Sequence, residues 1–515
     1  MIKTRKKNSP SIVRIVVSIL VTLHLVLHVE KARSQPTSPP PKKPNVIFII
    51  TDDQAVDTIA AWQTWGNDES QVKTPNLDRL ARSGTSFRNC YNMGSWSGAV
   101  CICSRSMLMS GQTVWKTQDL EKEKYKAQIA AHELLPQRIR AAGYRTWMSG
   151  KWHLSAPVRE VFDEVRNLRE GMPKTVASAY QRPLEELESA DESSPADEWK
   201  PWDIANGGYW QGGKHWSEVA ADDAEEFLKK ADESSQPFFL YLAFNAPHDP
   251  RQSPQEYVER YPLDSVVIPK NFLPVNPHHQ AMGLGSMDTK ALRDEALAPF
   301  PRTEYAVRIH RQEYYALVSH LDTQIGRILQ ALDASGQADR TLVVFTSDHG
   351  LAVGRHGLMG KQNLYEHSLR VPMIIMGPGV PHGKSIETRV YMQDAMATVL
   401  DWAEADQSNI DFRTLKPLLE HDQSQGEQSS ERTIYAAYQS HQRAVIAENH
   451  KLILYPDSHT KLLFDLTADP LEIHNLAEGT ATINLQQRLF QQLREQQILH
   501  VDTLDLRPMF GDLLR

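Results

Sequence analysis

Five consecutive apolar residues, Val46-Ile47-Phe48-Ile49-Ile50, constrain this chain more than any other stretch of it. A strand with one wet face alternates apolar and polar side chains. An unbroken β-branched and aromatic run reads instead as a strand buried on both faces, as in a parallel sheet. Similar runs recur at 144–148, 238–244, 342–345 and 372–376. Between them, Leu317, Leu321, Ile325, Ile328, Leu329 and Leu332 have helical spacing, and that helix is expected to stop near Gly336. Strands alternating with helices predict an α/β fold: a large, mixed but mostly parallel sheet sandwiched by helices. The polar stretch 420–432 reads as a linker, and 183–203 as an acidic surface insertion. Short runs at 444–446, 451–455 and 461–466, then a helical pattern at 483–497, predict a smaller C-terminal α+β domain with an antiparallel sheet and a terminal helix. The expected division is an α/β domain over 45–405 and the smaller domain over 406–515.

The N-terminus carries Lys3, Arg5, Lys6, Lys7 and Arg14, then the apolar stretch 15–29, then Ala32-Arg33-Ser34. That order reads as a signal peptide over 1–34, cleaved near Ser34. The apolar run is short and interrupted by His24 and His28, so no stable membrane insertion is expected. Residues 35–44 form a Pro-rich tether. The expected location is the periplasm or the medium. Residues 1–34 hold seven Lys/Arg against one Glu, so the remainder is more acidic than the full-length −8. An acidic chain argues against a nucleic-acid partner, and an anionic substrate would need a local basic pocket. Cys90, Cys101 and Cys103 are too few for a disulfide framework, and their odd number leaves one thiol for another task. If that thiol is Cys101, Cys90 and Cys103 are left as a candidate pair, a bond that sequence does not establish.

Ligands of open α/β sheets sit at the carboxyl ends of the strands. Asp52 and Asp53 follow the first strand, Lys151 and His153 the second, His248 the third, and Asp348 and His349 the fourth, with Lys361 soon after. A single acidic residue there is often a turn former or helix cap. Four strand ends of complementary charge are better read as a site. Asp52, Asp53 and Asp348 are hard oxygen ligands suited to Ca²⁺ or Mg²⁺, and His349 adds a nitrogen. Lys151, Arg105, Lys361, His153 and His248 are donors or cations. A divalent metal among cations suits a tetrahedral oxyanion, sulfuryl or phosphoryl. Cys101 is the candidate nucleophile: a helix starting just after it, at Ser104, would favour the thiolate. The alternative is a buried structural cysteine. His215, Arg355, His356 and Tyr365 are lesser candidates for contact with substrate, while His278-His279 reads as a solvated loop.

The run Cys101 to Gly111 resembles the sulfatase signature C-x-P-S-R-x-x-x-L-T-G, matching at Cys101, Ser104, Arg105 and Gly111. It departs at Cys103, where proline or alanine is usual, and at Met109-Ser110. Asn45-Val46 leading to Asp52-Asp53, Thr74-Pro75-Asn76-Leu77, Gly150-Lys151-Trp152-His153, Ala246-Pro247-His248, Ser347-Asp348-His349-Gly350 and Thr467-Ala468-Asp469-Pro470 resemble further blocks of that family, nearest its iduronate-sulfatase and arylsulfatase branch. The resemblance implies an alkaline-phosphatase-like core and oxidation of Cys101 to formylglycine by a separate maturation enzyme. The hydrated aldehyde would attack sulfur. It implies Asp52, Asp53, Asp348 and His349, with the modified Cys101, as ligands of Ca²⁺ in preference to Mg²⁺. Arg105 and Lys151 would hold the aldehyde hydrate and sulfate, His153 would assist that hydrate, and Lys361 would bind sulfate oxygens. His248 would protonate the leaving alcohol, a role suited to an ordinary imidazole pKa of ~6.5. The implied activity is hydrolysis of a sulfate ester, of a small molecule or a carbohydrate. A phosphonate or phosphate ester hydrolase on the same fold is one alternative. The other is a non-catalytic binder of sulfated glycans, motivated by Cys103. Specificity is expected in the loops 155–215 and 270–305 and in the C-terminal domain.

Overall fold

The computed structural model describes residues 43–514 except 65–70, 170, 172–176, 184–198, 233–235, 286–291 and 421–431. The proposed leader, nearly all of the tether, most of the acidic insertion and most of the linker lie outside the described residues.

The apolar run 46–50 lies in strand β1 (Asn45–Thr51), buried throughout. Val46, Phe48 and Ile50 enter one hydrophobic core, Ile47 and Ile49 another. Both faces are therefore covered, as an unbroken run requires. The other strands of the main sheet are β2 (Thr85–Phe87), β3 (Arg145–Lys151), β4 (Glu164–Arg169), β5 (Phe238–Ala243), β6 (Thr341–Ser347), β7 (Met373–Met376) and β8 (Lys384–Ile386). The eight-stranded order is β8-β2-β7-β6-β1-β5-β3-β4. Only β7 runs against its neighbours. The expected mostly parallel sheet is therefore present. The strands β2, β4 and β8 had no sequence signal. Two have three residues, and β4 is mostly half-buried with a polar pattern.

Helices cover both faces. On one side lie α1 (Pro75–Ser83), α3 (Trp216–Asp232) and α4 (Glu304–Ala334), the last burying Leu317, Leu321, Ile325, Ile328, Leu329 and Leu332. Thr303 caps the start of α4, its hydroxyl accepting from the Ala306 N–H at 3.1 Å. Gly336, at φ +66°, follows the helix end, as the sequence suggests. On the opposite side lie α2 (Val100–Ser110) and α5 (Asp394–Trp402).

The second sheet contains β9 (Ile434–Tyr438), β10 (Gln442–Ala447), β11 (His450–Tyr455) and β12 (Thr460–Asp465), paired antiparallel in sequence. Helix α6 (Ile483–Leu499) shares their hydrophobic core. One feature was not legible in the sequence: Gly94–Ser95 adds to β9 as a parallel fifth strand. The segment leading into α2 is thus hydrogen-bonded to the C-terminal sheet.

Candidate active site

Register brings the strand ends level. Thr51 pairs with Ser347, Ile50 with Ala243, and Ala243 with Gly150. The residues just beyond, Asp52, Asp348 and Lys151, therefore meet. Gly150 has φ +101°, and a Cβ there would lie 2.0 Å from the Ala243 carbonyl oxygen, so only glycine lets β3 approach β5 this closely. The opposite wall is α2. It begins at Val100, so Cys101 sits inside its first turn rather than ahead of it, as the sequence had suggested. The helix ends on Gly111, at φ +72°, whose N–H donates to the Met107 carbonyl.

Four residues from three segments converge. One ligand atom each from Asp52, Asp53, Cys101 and His248 lie within 4.8 Å of one another. Lys151 is paired with Asp52, and Lys361 with Asp53. Lys361 Nζ also stands 2.9 Å from His248 Nε2. Arg105 Nε donates to Asp348 Oδ2 at 2.9 Å, and its Nη1 to the Lys151 carbonyl at 2.9 Å. The Asp53 N–H donates to Asp348 Oδ1 at 3.2 Å. Every one of these side chains is buried. A cavity of about 240 Å³ opens on the cluster, lined in part by Cys101, His153, His248, Arg293, Asp294 and Lys361.

The electrostatics follow from burial. It opposes ionisation of Asp52, yet Lys151, His248, Arg105 and Lys361 together hold that carboxyl well below its ordinary range. For Asp53 burial outweighs Lys361 and His248, and the carboxyl is raised. Burial, then the charge of Asp52, pushes Asp348 up to about 7 despite Arg105. Burial and the Lys151 charge push His153 down to about 2. Burial, then Lys361, pushes His349 down to about 3, leaving the neutral imidazole that metals bind. For Cys101 the sequence expectation is overturned. Burial, then the negative charge of Asp52, pushes the thiol well above its ordinary value, so the helix terminus does not make it a ready thiolate.

The set fits a hard divalent cation. Asp52 Oδ1 and His349 Nδ1 are buried with no hydrogen-bond partner among the described residues. Buried polar atoms normally have one, so a missing ion is a physical reason for such orphans. Oxygen donors predominate, as Ca²⁺ and Mg²⁺ prefer. The close four-residue group contains His248 and not Asp348 or His349, but Asp348 is tied to the Asp53 backbone beside it.

The lesser candidates lie elsewhere. His215 is buried and satisfied, its Nε2 on the Gln252 carbonyl and its Nδ1 accepting from the Ser217 N–H. Arg355 pairs with Asp57. His356 stacks on Tyr365 with ring centres 4.2 Å apart, and both line a separate cavity of about 620 Å³, as does His278. His279 is buried against Phe300 and so is not a solvated loop residue. The three cysteines are free: Cys103 Sγ accepts from Ser95 Oγ at 2.8 Å, and no bond joins it to Cys90. Three residues at or behind the pocket had no distinguishing signal, namely Asp249, which contacts His248, and Arg293 and Asp294, which line the cavity. The last two lie in a loop rather than at a strand end, and Asp249 is visible only as the residue after His248.

The sulfatase family model matches residues 44–405, and that of the N-sulphoglucosamine sulphohydrolase C-terminal region matches 354–498. The choline-sulfatase of Rhizobium meliloti is 28% identical over 469 residues, covering 85% of this chain and 83% of that protein. The N-acetylglucosamine-6-O-sulfatase of Bacteroides thetaiotaomicron is 26% identical over 533 residues, covering 90% and 87%. A solved structure holding its substrate D-glucosamine-2-N,6-O-disulfate superposes with a TM-score of 0.66 at 22% identity, covering 90% of this chain and 99% of that one. With the family model spanning most of the described residues, the chain belongs to the sulfatase family and is a sulfuric ester hydrolase.

Proposed function

We propose that this sulfatase is an exported enzyme that hydrolyses a sulfate ester of a carbohydrate, releasing sulfate and an alcohol. In this reading Cys101 is oxidised to formylglycine by a maturation enzyme that tolerates Cys103. Asp52, Asp53, Asp348 and His349, with residue 101, hold Ca²⁺. The observation that carries the reading is the convergence of three buried carboxylates and Cys101 beneath a cavity lined by His153, His248 and Lys361. The carbohydrate preference draws on the relatives: one is an N-acetylglucosamine-6-O-sulfatase, and one neighbour binds a disulfated glucosamine.

Formylglycine supplies a hydrated aldehyde whose hydroxyl can attack sulfur, and bound Ca²⁺ supplies a fixed positive charge for sulfate oxygens. The remaining work falls to this chain's side chains. Lys151 and Lys361 can present ammonium groups to the sulfate, each positioned by a carboxylate, Asp52 and Asp53 respectively. Arg105, held by Asp348 and the Lys151 carbonyl, cannot reorient, so its charge is in place before the reaction starts. His153 is held neutral, so its ring nitrogen can accept a hydrogen bond from the attacking hydroxyl. His248 Nε2 faces Lys361 and Asp53, and there it can deliver a proton to the departing alcohol oxygen. The test is mass spectrometry of the tryptic peptide carrying Cys101, from a host with the maturation enzyme, beside assays on sulfated saccharides. An unmodified thiol, or a large preference for phosphate over sulfate esters at equal concentration, overturns the reading.

A further inference from the structure

We propose that Asp249 is the positioning residue for His248, fixing which ring nitrogen carries the transferable proton, and that Arg293 in turn holds Asp249 in place. The inference deepens the reading above and rests on the assignment of His248 as the acid for the leaving alcohol.

The geometry is specific. His248 Nδ1 lies 2.9 Å from the Asp249 carboxylate Oδ1 and 2.9 Å from the Asp249 backbone carbonyl. Both are acceptors. Nδ1 must therefore be the N–H, and in the neutral ring Nε2 carries the lone pair. Nε2 faces Lys361 Nζ at 2.9 Å, which can only donate. The other tautomer would set two acceptors against a lone pair at Nδ1 and the Lys361 N–H against an N–H at Nε2, and a flipped ring would put carbon at both places. The proton gained and lost in turnover is thus confined to Nε2, on the cavity side.

Asp249 is itself immobilised. Arg293 grips it with two bonds, Nη1 to Oδ2 at 2.8 Å and Nη2 to Oδ1 at 3.2 Å, and its Nη2 also donates to Asp294 at 2.6 Å. A two-pronged guanidinium–carboxylate pair fixes orientation as well as charge. The Tyr209 hydroxyl donates to the Asp249 carbonyl at 2.7 Å, tying the turn to a different segment. Asp249 is buried, while the Arg293 side chain is 35% exposed on the cavity rim. The clamp can therefore be altered from the solvent side without opening the buried pair.

The experiment compares purified wild type, Asp249→Asn, Asp249→Glu and Arg293→Gln on aryl sulfates of graded leaving group, from 4-nitrophenyl sulfate to phenyl sulfate. A good leaving group needs little proton donation and a poor one needs much. Asp249→Asn is expected to lower kcat about 100-fold on phenyl sulfate and under about 5-fold on 4-nitrophenyl sulfate, with KM unchanged. Arg293→Gln should show the same tilt, smaller, and Asp249→Glu should restore part of it. A purely structural role would lower all substrates alike. Equal losses across the series, or none, overturn the inference while leaving the sulfatase reading intact. If Asp249→Asn does not fold, Arg293→Gln carries the same comparison alone. Should wild type with formylglycine in place hydrolyse neither these esters nor sulfated saccharides, the parent reading falls and this inference with it.

Discussion

The Ser104 hydroxyl donates to the backbone carbonyl of Asp348 at 2.6 Å, binding helix α2 to the turn beyond β6. The Asn92 side-chain amide reaches the same carbonyl at 2.5 Å and also bonds Ser104. Cys101 and Asp348 come from segments far apart in sequence, and this small network sets their spacing. Ser104→Ala leaves the carbonyl one partner, so the expected loss is about 1 kcal/mol of stability. Because the linkage aligns the two halves of the site, activity should fall further than stability does. Urea unfolding beside turnover tests this, and a proportionate loss of both would count against it.

Arg105 joins Asp348 to β3 from a fully buried position. Removing one partner of a buried ion pair leaves an uncompensated charge. Arg105→Ala should therefore lose about 3–5 kcal/mol. Arg105→Lys should recover little, because a single ammonium cannot replace a guanidinium that bonds through Nε and Nη1 in two directions. Equal midpoints for wild type and Arg105→Lys in denaturant would contradict this.

Much of this site was legible because its chemistry sits at strand ends, and strand ends are marked by where apolar runs stop. Asp52, Asp53, Lys151 and Asp348 each follow or close such a run, and register does the rest. What escaped notice depends on tertiary approach alone. Gly94–Ser95 is too short to carry a strand pattern, yet it pairs with β9. Asp249 and Arg293 meet across 44 residues of chain, and nothing periodic marks either. The thiol of Cys101 illustrates a wrong sign: local reasoning weighed the helix terminus, whereas burial decides.

The orphaned Asp52 Oδ1 and the raised Asp53 predict that cation binding stabilises the fold. A ligand that binds only the native state adds RT ln(1 + [L]/Kd), about 2.7 kcal/mol at one hundred times Kd. Calcium should therefore raise the Tm of protein treated with a chelator, and Asp52→Asn should abolish most of that rise. The Tyr314 hydroxyl donates to the Asp53 carbonyl and accepts from the Ala55 N–H, both at 2.8 Å, so Tyr314→Phe should weaken the calcium response without removing any ligand. An identical calcium response in all three proteins would exclude this site.

Stability should fall as the solution is acidified from neutrality, and histidines remote from the site decide the sign. Burial holds His215, His310 and His367 well below 6.5 and takes His356 and His500 down to about 4. His310 shows why: Nδ1 faces Arg251 and Nε2 faces the Arg182 carbonyl, a pairing made for the neutral ring. In the unfolded chain these groups take up protons near ~6.5, so below that pH the unfolded state binds more of them and is favoured. Buried carboxyls act in the opposite sense, Asp348 of the site among them. Burial raises Asp322 to about 6 and Glu472 to about 7, so the native state keeps protons that the unfolded chain releases, and their contribution grows on acidification. The five histidines, with His153 and His349 of the site, outnumber the three carboxyls raised to about 6 or 7. With a net excess of one proton or more, each pH unit is worth about 1.4 kcal/mol, giving a loss of about 2 kcal/mol between pH 6.5 and 5. Urea midpoints across that range check it, and His310→Gln should flatten the slope. Midpoints that rose on acidification would show that the carboxyls dominate instead.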